Sequence, residues 1–196
     1  MNYLTYLRLT NCTSIVVHFK NVFSNLIRID TFQIDDSFKM FGPFSNELQN
    51  VAFDSLPDQI FIEEIFRHHQ NTLSTIITFN NRILNHICNL RISLPVLKTI
   101  FFDSQTDYYF PQDHSNHFDN QFTPQLDTFV INVDNTETLL RLFSTYLKPS
   151  ITSIILTSDN QLIVPPSFLE ILHNIARYMA VQVDIRWQVD YPKDFQ

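Results

Sequence analysis

An apolar frame of the form L-x-x-L-x-L recurs down this chain, and no other feature limits the possible folds as strongly. The first copy is LTYLRLTNC, with Leu4, Leu7 and Leu9 in the apolar slots and Cys12 closing the frame. Further copies read Ile29-Phe32-Ile34-Ser37, Leu48-Val51-Phe53, Leu97-Ile100-Phe102, Leu126-Phe129-Ile131-Asp134 and Ile151-Ile154-Leu156-Asp159, with weaker ones starting at Leu73 and Ala180. Successive starts are 25, 19, 25, 24, 29, 25 and 29 residues apart. A single unit of this size cannot bury its apolar face until a neighbour stacks on it, so a fixed period implies a solenoid. The copy at Leu73 admits two readings, with either Ile76 or the pair Ile77 and Phe79 in the core slots.

Helix-like stretches alternate with these frames. Apolar residues fall at helical spacing over 14–26, 57–73, 82–90, 136–147 and 167–180, whereas TFVINV and ITSIILT are short β-branched and aromatic runs. Alternating strand and helix predicts an α/β chain: a βα solenoid with a curved parallel sheet on its inner face. The whole of 1–196 reads as one domain of about eight irregular repeats. Strands are expected near Leu7–Leu9, Phe32–Ile34, Val51–Phe53, Ile100–Phe102, Phe129–Ile131 and Ile154–Leu156. Two stretches interrupt the alternation. Residues 36–47 contain Gly42-Pro43 and read as a loop. Residues 103–124 form a polar, aromatic-studded insertion where a helix is expected, and a loop of that length is either disordered or functional. Only three residues precede Leu4, with no polar cap, so the chain either associates through that end or is a piece of a longer solenoid.

Composition removes several chemistries. Gly42 is the only glycine among 196 residues. Phosphate-cradling loops, dinucleotide fingerprints and the strained Gly-x-Ser-x-Gly turn all need more. A net charge of −7 without a basic block gives no footprint for nucleic acid. Cys12 and Cys88 are too few for a disulfide framework or a four-ligand zinc site, and both read as small apolar residues. The N-terminal stretch lacks the charged-then-apolar order of a signal peptide, and no apolar run approaches the ~20 residues that span a bilayer. An intracellular chain, cytoplasmic or nuclear, with no membrane, nucleic-acid or cofactor partner and with a protein rather than a small molecule as its ligand, is the expectation.

The pair His68-His69 and the cluster Asp113, His114, His117 and Asp119 are the only metal-like groupings, and the cluster reads as a solvated polar loop. His68 and His69 are expected on the exposed end of a helix. Adjacent carboxylates at Asp35-Asp36 and Glu63-Glu64 point different ways on any regular element. No catalytic constellation emerges, so the expectation is a protein that is not an enzyme.

The strand face turned away from the core carries more information. The residue between the last two apolar slots points to that side, and in order the row reads Arg8, Gln33, Ala52, Ile77, Phe101, Val130, Ile155 and Asp184. Its neighbour reads Thr10, Asp35, Asp54, Phe79, Asp103, Asn132, Thr157 and Arg186. An apolar stripe of Ile77, Phe101, Val130 and Ile155, rimmed by Asp35, Asp54 and Asp103, is a candidate protein-binding surface. Two other readings stay open: β-branched residues simply favour strands, or the 103–124 loop folds over the stripe.

The L-x-x-L-x-L frames, above all LTYLRLTNC with its Asn-Cys ending, resemble the leucine-rich-repeat superfamily, and within it the irregular repeats of F-box/leucine-rich-repeat proteins. The resemblance covers nearly the whole chain. It implies a protein-interaction scaffold, and in the F-box branch recruitment of substrates to a ubiquitin ligase; no F-box is recognisable in this chain ahead of Leu4, and if the chain is a fragment the F-box lies upstream. The other reading is a truncated or degenerate repeat protein without a discrete ligand.

Overall fold

A computed structural model describes residues 4–11, 16–18, 23, 25–32, 39–41, 45–53, 59–79, 81–103, 121–132, 142, 146, 150–157, 166–179 and 182–186. The chain is α/β, built on one open, wholly parallel sheet of eight strands. These are β1 (Tyr6–Thr10), β3 (Arg28–Phe32), β5 (Asn50–Phe53), β6 (Thr75–Thr78), β7 (Thr99–Asp103), β8 (Thr128–Asn132), β9 (Ser153–Thr157) and β10 (Gln182–Arg186), lying side by side in chain order. A second, two-stranded parallel sheet pairs β2 (Val16–His18) with β4 (Lys39–Phe41). Three helices are described: α1 (Gln59–His69), α2 (Asn81–Leu90) and α3 (Pro166–Met179). Leu142 and Tyr146 are helical as well.

One hydrogen-bond motif repeats along the large sheet from β1 to β9. The carbonyl just after each of the first six frame starts accepts two N–H groups from the following strand's entry. Ile27 and Arg28 donate to Thr5, Gln49 and Asn50 to Ile27, Ser74 and Thr75 to Gln49, and the pattern continues through Ser74, Lys98 and Asp127 at 2.8–3.2 Å. At the last step Gln182 donates to Thr152 at 2.8 Å. This column corrects the second frame. Leu7 pairs with Ile29 and Leu9 with Thr31, so that copy is Leu26-Ile29-Thr31, and its strand lies three residues before the expected Phe32–Ile34. The corrected starts are 22, 22, 25, 24, 29, 25 and 29 residues apart, which removes the one short step. At Leu73, Ile76 takes the core slot, because it pairs with Val51 and Ile100.

The slot residues form a continuous core. Leu26, Leu48, Leu73, Leu97, Leu126 and Ile151 at the first slot are fully buried, as are Ile29, Val51, Ile76, Ile100, Phe129 and Ile154 at the second. Helix α1 adds Phe61, Ile62, Ile65 and Phe66, all buried. The Phe66 ring meets Phe53 edge-on, with centroids 6.3 Å apart. Thr31 occupies an apolar slot without orphaning its hydroxyl, which donates to the Ala52 carbonyl at 3.1 Å.

Two expectations about the opposite layer need correction. The helix expected over 14–26 is not formed at Val16–His18, which is a strand. The run Ile15-Val16-Val17 is β-branched, and such residues lose rotamer freedom in a helix but fit a strand. Lys39–Phe41, inside the expected 36–47 loop, is its parallel partner. Helices α1, α2 and α3 fall within or at the margins of the expected stretches.

Tyr146 and Asn85 tie distant parts of this layer together. The Tyr146 hydroxyl donates to Asn85 Oδ1 on α2 at 2.5 Å, across 61 residues of chain, and both side chains are buried. Burial pushes the phenol's pKa up, so it stays a donor at any ordinary pH. Tyr146→Phe should therefore cost about 1–3 kcal/mol of stability by leaving the Asn85 oxygen without this donor. Urea unfolding checks this, and an unchanged midpoint would show that the pair is not stabilising.

Candidate protein-binding face

The two-residue period of a strand puts the positions between the slots on the face opposite the slots, and pairing in register aligns them into three rows. The middle row runs Arg8, Asp30, Ala52, Ile77, Phe101, Val130, Ile155 and Asp184. The four expected stripe residues are therefore direct neighbours on β6, β7, β8 and β9. Asp30 stands where Gln33 was expected, as the corrected second frame requires.

Accessibility divides the stripe. Phe101, Val130 and Ile155 are half-buried and reachable. Ile77 is only 2% exposed, and its neighbour Ala52 is buried too. A side chain that is already buried has no apolar surface left to remove from water on binding, so Ile77 acts within the fold while the other three offer contact area.

The acidic rim is placed less completely. Asp103 lies on β7 opposite Asn132. Asp35 and Asp54 lie outside the described residues, as do His114 and His117. The corrected frame puts Phe32, not Asp35, opposite Thr10. Further along that row, Asn132 and Thr157 are buried, and the Thr157 hydroxyl donates to the Ile131 carbonyl at 3.3 Å.

Sequence reasoning missed the third row. Thr75, Thr99, Thr128 and Ser153 pair in sequence across β6 to β9, each half-buried, with Asn50 and Gln182 at its ends. This row places a line of hydroxyls one strand spacing apart beside the apolar stripe. The signal was present, since a Thr or Ser stands directly before the second slot in four successive frames.

A charged cluster closes the β1 end of the face. Arg28 grips Asp30 through two bonds, from Nε at 2.7 Å and Nη2 at 2.6 Å. The Tyr6 hydroxyl donates to the same carboxylate at 2.8 Å, and the Arg28 guanidinium lies 5.3 Å from the Tyr6 ring centroid. Bonding to Asp30 and part burial, with burial the larger cause, raise the Tyr6 pKa.

The histidines divide as well. His68 is exposed and bonds Glu64 at 3.0 Å. His69 is 2% exposed, which corrects the expectation that both lie on an exposed helix end. Burial holds its pKa down at about 4, with a smaller contribution from His68. His86 on α2 is also shifted down by burial, against the opposing charge of Glu63. Among the described residues no group of three His, Cys, Asp or Glu side chains could hold a metal, and no helix is long and apolar enough to cross a membrane. Cys88 packs against the core, and Cys12 lies outside the described residues.

No protein-family model, curated protein or solved structure matches this chain.

Proposed function

We propose that the chain is a leucine-rich-repeat-type solenoid that acts as a non-catalytic scaffold and binds a protein partner across its open strand face. The carrying observation is the aligned, accessible row of Phe101, Val130 and Ile155 beside the hydroxyl row of Thr99, Thr128 and Ser153. An apolar strip flanked by satisfiable hydroxyls matches the make-up of protein interfaces, where a few buried aromatic or aliphatic anchors supply most of the energy. Support for the solenoid comes from the strand order, the repeated two-donor carbonyl and the slot-by-slot burial.

Phe101 is the anchor. Phe101→Ala should weaken partner binding by about 2 kcal/mol or more while leaving the denaturant midpoint nearly unchanged, since the ring is not part of the core. Affinity purification with the wild-type chain as bait identifies the partner, and titration of that partner against the variant measures the loss. Equal affinity for both proteins would remove the face as the binding site. Recovery of cullin-adaptor subunits in the same purification would assign the scaffold to a ubiquitin ligase, and their consistent absence would take that branch away.

A further inference from the structure

The two end strands of the large sheet are β1 and β10, and they differ in a way that makes them complementary. From β3 to β9 two adjacent N–H groups at each strand's entry donate to one carbonyl at the entry of the strand before it. The equivalent groups at β1 belong to Thr5 and Tyr6, and no described strand lies ahead of them. The core is also less covered there. Leu4, Leu7 and Leu9 are half-buried, whereas their counterparts in the next repeat, Leu26, Ile29 and Thr31, are fully buried. A strand edge with no described neighbour, backed by partly covered leucines, is a template for another strand.

The register names the strand that fits. Val183 and Ile185 on β10 occupy the positions of Ile154 and Leu156, so their places align with Leu7 and Leu9 if β10 of a neighbouring copy continues the sheet. In that alignment Asp184 of the neighbouring copy falls opposite Arg8. The same pairing already exists within the chain, where Arg8 stands opposite Asp30. Arg8 would then lie between two carboxylates in one row, and Gln182 would fall opposite Tyr6.

We propose that copies of this chain associate head to tail, the β10 end of one extending the sheet at the β1 end of the next. The two surfaces are different, so the contact is heterologous and leaves a free end at each step. Growth beyond a dimer, into a ring or a short open stack, follows from that geometry.

Analytical ultracentrifugation of the full chain from about 1 µM to about 1 mM, a range that brackets weak association, is the first test. The sedimentation coefficient should rise continuously with concentration and pass the value for a dimer. Two variants then probe the contact. Arg8→Glu and Asp184→Arg should each weaken self-association by about tenfold or more, because each sets like charges opposite one another. An equimolar mixture of the two should associate as the wild type does, since each copy's altered end meets its complement on the other. Circular dichroism of each variant verifies folding, and the wild-type concentration series stands even if a variant fails to fold. A strictly monomeric wild-type chain would leave the β1 end to some other occupant and overturn the proposal. A dimer that stops at two copies and ignores the charge exchange would overturn it as well.

Discussion

Phe53→Ala is expected to lower the free energy of unfolding by about 3–5 kcal/mol, the usual cost of truncating a fully buried aromatic. Phe53 stands at the third slot of its frame, has no exposed surface, and meets Phe66 of α1 edge-on. Its removal takes away apolar burial and opens a space between the sheet and α1. The surrounding strands are pinned by backbone bonds on both sides and can close that space only in part. A stable domain has about 5–15 kcal/mol in total, so this change alone should bring the chain near its unfolding threshold. Urea or thermal unfolding measures it. A loss below about 1 kcal/mol would mean that the sheet and α1 do not share one core.

Acid should destabilise the chain through His69. Its pKa is held down at about 4 in the fold by burial, whereas an unfolded histidine titrates near the ordinary value of about 6.5. Between these two values the unfolded chain binds a proton that the folded chain refuses. Stability is therefore complete above about pH 6.5, falls as the pH drops toward 4, and levels off below that. The displacement corresponds to about 3 kcal/mol. His86 acts in the same direction. The diagnostic comparison is the urea midpoint of wild type and His69→Leu across this window. The variant should show a shallower decline, and parallel curves would show that His69 does not drive the acid response. The last turn of α1 carries Arg67, His68 and His69, and a helix C-terminus favours positive charge. For His69 the desolvation cost outweighs that attraction.

The frames at Leu48, Leu97, Leu126 and Ile151 were legible because strand periodicity and burial coincide there. Each apolar slot is occupied by a residue that is indeed in the core, and each strand lies at the expected place. Once those frames were read, the alignment of Ile77, Phe101, Val130 and Ile155 followed, since a side-chain period of two leaves the residue between two inward slots no other side. Ala180 could also be read, despite a degenerate frame, and Val183 and Ile185 do pair with Ile154 and Leu156.

Where the local pattern admitted two readings of the same residues, only the tertiary structure decided. Ile29-Phe32-Ile34 is a better apolar match than Leu26-Ile29-Thr31, yet the second is the one formed. The choice rests with neighbours: Thr5 and Gln49 fix the backbone step on either side, and Ala52 provides an acceptor that makes Thr31 tolerable in the core. At Val16–His18 helical spacing and β-branching argued for opposite structures, and a parallel partner at Lys39–Phe41 settled it for the strand. Ile77 and Phe101 share a row but not an environment, and one histidine of an adjacent pair is buried while the other is exposed. Periodicity records which way a side chain points. What lies over it depends on segments distant in sequence, and that is why the sequence determined the repeat, the strand face and its stripe, while register, burial and the accessible part of that stripe were decided only in the packed structure.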